Sequence, residues 1–170
     1  MPTATISKAT KSPKKKVSAK RTQSARKSKK TSADECPHCK SGPESFRYMG
    51  NIYRFDVDKA RRLVSDGREP VELEPDDVQY SVDVCHIYPE HVKHVNPEFP
   101  GIIAHIWYPD PSGELLHGHV LIDGHHRAAR CLELDRPYFV YLLSEEESRD
   151  VLLKDSKIDQ ILQSVGAPTR

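Results

Sequence analysis

Residues 115–135 read LLHGHVLIDGHHRAARCLELD, and the order of residue types in this stretch decides the fold. Leu115 to Asp123 passes into the apolar run Val120-Leu121-Ile122, the pattern of a strand entering a core. Gly124 then lets the backbone turn sharply, because glycine has no Cβ to forbid positive φ. From His125 onward Ala128, Ala129, Cys131 and Leu132 fall at helical spacing. The stretch therefore predicts a strand, a glycine turn and a helix over 125–135, with Cys131 on the helix's apolar side. A junction of this kind gathers unpaired backbone N–H groups at one point.

Working outward, IIAHIWY (102–108) is rich in β-branched and aromatic residues, and PDPSGE (109–114) carries the residues of a hairpin loop. Together with 115–123 they predict a β-hairpin. Downstream, YFVYLL (138–143) predicts the next strand. Ser144 with Glu147 forms a capping box for a helix carrying Val151 and Leu152, and a last helix is expected at about 156–164. Upstream, the alternating aromatics of Phe46 to Phe55 predict a single strand. Asp56 is placed to cap a helix that runs through Ala60, Leu63 and Val64 and stops at Gly67. Residues 70–81, with Pro70, Pro75 and acids at Glu72, Glu74, Asp76 and Asp77, predict an exposed loop or linker. This mixture of elements implies an α+β domain, a small mixed sheet flanked by helices.

A chain of 170 residues is long enough for one domain and an appendage. Its hydrophobic fraction of 36% and mean hydropathy of −0.66 are low for a compact domain, and the polar excess lies at the N-terminus. Residues 1–33 hold eleven of the 26 Lys and Arg residues and no Asp or Glu. Such a segment cannot bury enough surface to offset its conformational entropy, so a disordered tail is expected over 1–34. The remaining residues carry fifteen basic and all 25 acidic side chains, a formal charge of −10 that the net +1 of the whole chain conceals. The runs KSPKKK and ARKSKK attract polyanions by counterion release, which makes nucleic acid one expected partner of residues 1–33. A solubilising tail, or one folded back on its own acidic domain, is the other reading. No apolar h-region follows the basic stretch, and no run approaches the roughly 18 apolar residues of a membrane span. The expected location is the cytoplasm, away from membranes.

Cys36 and Cys39 stand in ECPHCK, within a segment 35–45 that reads as a linker. A structural zinc takes four ligands, usually two pairs, and there is no second CxxC. Zinc, thiol redox chemistry and an incidental knuckle all remain open readings of Cys36 and Cys39. A complete zinc site would require Cys85, a distant histidine or a second chain. Eight of the nine histidines lie between 86 and 126. His91 and His94 at i, i+3 can share a helical face, and His117 and His119 at i, i+2 project to one side of a strand. No single element completes an HExxH or a two-His-one-carboxylate set, so neutral imidazoles lining a phosphate pocket are the more economical reading.

The chemistry concentrates at Leu121 to Ala129. An exposed helix N-terminus carries about half a positive charge and several unpaired donors, and Arg127 one turn in adds a guanidinium fork. That combination suits a phosphate. Asp123, at the end of the strand, is read as a ligand for Mg²⁺, a partner for a sugar hydroxyl or imidazole, or a simple N-cap.

The segment VLIDGHHRAARCLELDRPYFVYLLSEEES (120–148) resembles the ParB N-terminal-like domains of the ParB/sulfiredoxin superfamily, in which a strand leads into a G-x-x-R helix and then an apolar strand. The resemblance is best over 80–150 and implies a domain spanning 46–165, with DGHHR its specific core. Gly124 and Arg127 match the glycine and arginine of the ParB box that binds the triphosphate of CTP, whereas His125 departs from it. His126 and Arg127 match the phosphate-handling pair of sulfiredoxins, but His125 replaces their reactive cysteine. The Asp-Gly-His-x-Arg of the superfamily's free-serine kinases is closer. VCHIYPEHVKHVNPEFPG (84–101) is similar to the segment that opens such domains, where those kinases place a glutamate as general base; Glu90 and Glu98 both fit.

The resemblance thus implies a nucleotide (ATP, ADP or CTP) whose phosphates are held at Gly124, His125, His126 and Arg127, with Mg²⁺ held by Asp123. Catalysis would involve Asp123, His126 and one of Glu90 and Glu98, in phosphoryl transfer to a small hydroxyl compound or in nucleotide hydrolysis. The alternative is a ParB-like nucleotide- or DNA-binding module without turnover, its basic tail contacting nucleic acid. Whether the domain is an enzyme stays open at this point. About 25 residues follow the last strand, too few for the helix-turn-helix and dimerisation regions of a partition clamp.

Overall fold

The computed structural model describes residues 36–39 and 42–166. The disorder expected of residues 1–34 concerns a segment outside the described residues.

The first elements are an antiparallel hairpin, β1 (Ser45–Tyr48) and β2 (Tyr53–Asp56), with Phe46 opposite Phe55. The single strand expected from 46 to 55 is broken because Met49, Gly50 and Asn51 have φ of 48°, 61° and 73°, which reverses the chain. Gly50-Asn51 is the local signal for that turn, since both residue types tolerate the left-handed region. Asp56 caps α1 (Val57–Leu63) as expected, its Oδ1 accepting from Lys59 N at 2.8 Å. A short 3-10 turn over Val64–Asp66 ends at Gly67, where φ is 91°.

Residues 70–81 are not the expected loop. They form β3 (Val71–Leu73) and most of α2 (Pro75–Asp83). Proline fits the first helical turn, where its missing N–H has no partner to lose, and Asp76 and Asp77 complement the positive end of the helix. What resembled a solvated acidic loop is a helix start whose Val78 is buried beneath it.

After α3 (Pro89–Val92) come β4 (Gly101–Pro109), β5 (Leu115–Asp123), α4 (His125–Glu133) and β6 (Tyr138–Leu142). The chain then adds α5 (Glu145–Asp150) and α6 (Ile158–Ser164). The four-stranded sheet has the order β3-β6-β4-β5. β4 pairs antiparallel with β5 and parallel with β6, while β3 joins β6 antiparallel, so the fold is α+β with a mixed sheet, as the sequence implies.

β4 reads as a nearly continuous apolar run because it is an interior strand covered on both faces. Ile102, Ala104 and Ile106 pack with Tyr53, Phe55, Val151, Ile158 and Leu162. Ile103 joins Leu121, Ala128, Cys131, Tyr138 and Val140 in a separate cluster with Val78 of α2. Each fully buried large apolar side chain contributes roughly 1.5–3 kcal/mol, so the two clusters hold the sheet between its helices. Tyr53 pins the hairpin to β4: its hydroxyl donates to the Trp107 carbonyl and accepts from Trp107 N at 2.8 Å. Beyond the pairing with β6, the β4 edge is met by α5, where His105 N donates to the buried Ser148 Oγ at 2.8 Å. The Ser144–Glu147 capping box starts α5. Among the described residues no helix is long and apolar enough to cross a membrane.

Candidate functional site

The end of β5 meets the start of α4 at Gly124, whose φ of 106° already disfavours any side chain. Space enforces the same choice: a Cβ there would lie 2.1 Å from Tyr138 Oη and 3.0 Å from Gly101 Cα. The Tyr138 hydroxyl donates to the Gly124 carbonyl at 3.0 Å, which holds β6 against the turn. The N-cap residue, Gly124, has no side chain to cap α4, so among the described residues the amides of its first turn lack the usual capping partner at the positive end of the helix.

Asp123 is buried and doubly paired. Arg61 Nε and Nη2 donate to its Oδ2 and Oδ1, both at 2.9 Å, and Arg127 Nη2 lies 3.0 Å from Oδ2. Burial alone would raise the Asp123 pKa, but the hydrogen bonds from Arg61 and the positive charge of Arg127 outweigh it and hold the carboxyl below its ordinary value. The same hydrogen bond raises the Arg61 pKa further. This corrects the reading of Asp123 as a helix N-cap: Gly124 occupies that position, and the Asp123 carboxylate is paired with the guanidinium groups of Arg61 and Arg127.

Arg127 is itself only partly satisfied. Its Nη2 reaches Asp123 and, at 3.4 Å, the Pro100 carbonyl, but its buried Nε has no hydrogen-bond partner among the described residues. An unpaired buried donor costs about 1–3 kcal/mol, more when charged, and a phosphate oxygen is the acceptor a guanidinium fits best. The cavity that opens here has a volume of about 790 Å³ and is lined by Gly124, His125, His126 and Arg127, so the four residues expected at a phosphate come together. His125 stacks on Phe46 at a centroid distance of 5.1 Å, and burial, followed by the neighbouring His126, pushes its pKa down to about 4. His126 Nε2 accepts from Tyr88 N at 3.1 Å. Burial and the nearby His91 likewise lower its pKa to about 4. Both imidazoles are therefore neutral at pH 7.

Glu90 and Glu98 do not join the site. They are surface side chains, 73% and 63% exposed, paired with Lys93 at 3.5 Å and Arg136 at 2.6 Å, and neither lines the cavity. Their expected role rested on the resemblance of residues 84–101 to the segment where such kinases place a general base. The cavity carboxylates are Asp123 and Glu44, and Glu44 lies 2.7 Å from Arg61 Nη1. Sequence reasoning missed both Arg61 and Glu44, since nothing local separates either from an ordinary polar surface residue.

The segment expected as a linker packs on the domain: Cys36 is buried, His38 stacks on Tyr88 at 3.8 Å, and Val57 N donates to the Glu44 carbonyl at 3.0 Å. Cys36 Sγ and Cys39 Sγ lie 3.7 and 3.4 Å from His91 Nδ1. His94 Nε2 is buried and has no hydrogen-bond partner among the described residues. His117 and His119 flank His105 on β4, with His105 Nε2 2.8 Å from His117 Nδ1, and Glu145 completes a second potential donor group there. Comparison of the chain with protein-family models, curated proteins and solved structures finds no match.

Proposed function

We propose that this chain is a ParB/sulfiredoxin-like domain that binds the phosphate groups of a nucleotide at the start of α4. The observation that carries this reading is the Arg127 guanidinium, anchored through Nη2 to Asp123 yet holding a buried, unpartnered Nε beside an uncapped helix N-terminus. Gly124 lets the strand turn directly into α4 against Tyr138 and Gly101, and the backbone amides of the first turn supply further donors. His125 and His126, neutral at pH 7, line the cavity without adding charge. Any Mg²⁺ would enter on the phosphates themselves, because Asp123 is already engaged by Arg61 and Arg127.

Binding without carboxylate-dependent kinase turnover is the form of the proposal the geometry favours. Transfer to a small hydroxyl compound calls for a base at the acceptor, and Glu90 and Glu98 lie outside the cavity. Glu44 and Asp123 line it, but both are paired with Arg61. The test is thermal unfolding of the full chain with ATP, ADP, CTP or GTP and Mg²⁺. At a hundredfold excess over its dissociation constant, a ligand confined to the folded state adds about 2.7 kcal/mol. A stabilisation that Arg127→Gln abolishes, in a variant whose circular dichroism is unchanged, supports the site. A folded wild-type chain that no nucleotide stabilises overturns it.

A further inference from the structure

We infer that Cys36, Cys39 and His91 form a zinc site built across the chain, with the 36–39 turn delivering both thiolates to the imidazole of α3. The inference does not depend on the phosphate site. Cys36 is buried and lies 55 residues from His91 in sequence, with Cys39 separated from it by 52. Tertiary packing alone brings the three donors together.

The distances match coordination. Zinc holds thiolate sulfur at about 2.3 Å and imidazole nitrogen at about 2.0–2.1 Å, so two such ligands on one tetrahedron stand about 3.5 Å apart. The observed Sγ to Nδ1 separations are 3.7 and 3.4 Å, and all three donor atoms lie within 4.8 Å of one another. One cation placed among the three donors satisfies them together. Two soft thiolates with one imidazole select Zn²⁺ over hard cations such as Mg²⁺ or Ca²⁺.

Three chain ligands occupy three corners of the tetrahedron and leave the fourth for water or another donor. Cys39 and His91 both line the cavity that contains His126 and Arg127. The ring of His91 stands 4.6 Å from that of His126, centroid to centroid. A zinc ion here would therefore sit at the cavity wall and fix the 36–39 turn onto α3.

The test uses the full chain expressed with zinc, purified in the presence of a thiol reductant and dialysed without metal. Elemental analysis is expected to find about one zinc per chain. Cys39→Ser and His91→Gln are each expected to lose at least about nine-tenths of it, while Cys85→Ser and His117→Gln retain it. Replacement of zinc by Co²⁺ in the wild type should give a thiolate-to-metal charge-transfer band, a readout that does not depend on any variant folding. A folded wild-type chain that retains no zinc overturns the site. So does zinc that survives in both Cys39→Ser and His91→Gln, or that is lost with His117→Gln, since the His105–His117–Glu145 group would then be the binder. Nucleotide binding does not enter this readout, so failure here leaves the phosphate proposal standing, and the reverse holds too.

Discussion

Arg61 Nε and Nη2 each stand 2.9 Å from one oxygen of Asp123, a two-pronged ion pair between residues 62 apart in sequence. It ties α1 to the end of β5, and Arg127, which meets the same Oδ2, keeps a donor to spare. Arg61→Met keeps much of the side chain's apolar bulk but leaves a buried carboxylate with one cation. Breaking a fully buried pair costs about 3–5 kcal/mol, and the partial exposure of Arg61 together with the remaining Arg127 reduces this to an expected loss of about 2 kcal/mol. Urea unfolding midpoints measure it. Adding Asp123→Asn to Arg61→Met should recover part of the loss, and strict additivity of the two changes would mean that the pair is uncoupled.

Gly124 and Gly113 separate backbone strain from crowding. Both have positive φ, 106° and 87°, but a Cβ on Gly113 meets nothing within 4 Å, whereas one on Gly124 strikes Tyr138 Oη at 2.1 Å. Gly113→Ala should lose about 1 kcal/mol from conformation alone. Gly124→Ala should lose at least about 2 kcal/mol more, because Tyr138 and Gly101 must shift. Denaturant midpoints for the two variants, measured side by side, give the difference directly; equal losses would contradict the crowding.

Acid is expected to destabilise the fold between pH 6.5 and 4 through His125. Burial, then the charge of His126 with Arg127 adding to it, depresses the His125 pKa to about 4, while Asp123 acts in the opposite direction. In that window the unfolded chain takes up a proton that the folded chain refuses, so stability falls as the pH falls. Above pH 6.5 the imidazole is neutral in both states and contributes no slope. The effect is of order 2 kcal/mol, at about 1.4 kcal/mol per unit of depression after allowance for residual solvent access. His125→Phe should reduce the fall of the melting temperature over this range, the remainder coming from His126, whose pKa burial and His91 depress likewise. Asp123 acts lower, since its depressed pKa supplies stability above the ordinary carboxylate range that is lost as pH falls through the folded value.

Tyr53→Phe tests the pin between the hairpin and β4. The change removes both the donor to the Trp107 carbonyl and the acceptor for Trp107 N in a fully buried setting. A loss of about 2 kcal/mol is expected, because buried groups are left unpaired. Trp107 is the chain's one tryptophan and is itself fully buried, so its fluorescence follows the transition in both proteins. Coincident unfolding curves would refute the role of the hydroxyl.

What the sequence determined by itself was everything governed by neighbours within a few residues. The hairpin of β4 and β5, the turn at Gly124, the start of α4, the Asp56 cap and the Ser144–Glu147 box all follow from periodicity, a missing Cβ or a side chain reaching one turn along its own backbone. The turn at Met49–Asn51 and the proline-led start of α2 were also written locally, but aromatic alternation and a run of acids masked them. Tertiary structure decided who meets the site. Arg61 reaches Asp123 across 62 residues, His91 reaches Cys36 across 55, and Glu90 and Glu98 are carried to the surface despite lying near the right place in sequence. The physical reason is that local propensity acts within a turn or a strand pair, whereas a site between elements depends on which faces pack together, and that is set by the burial of the two apolar clusters on either side of β4.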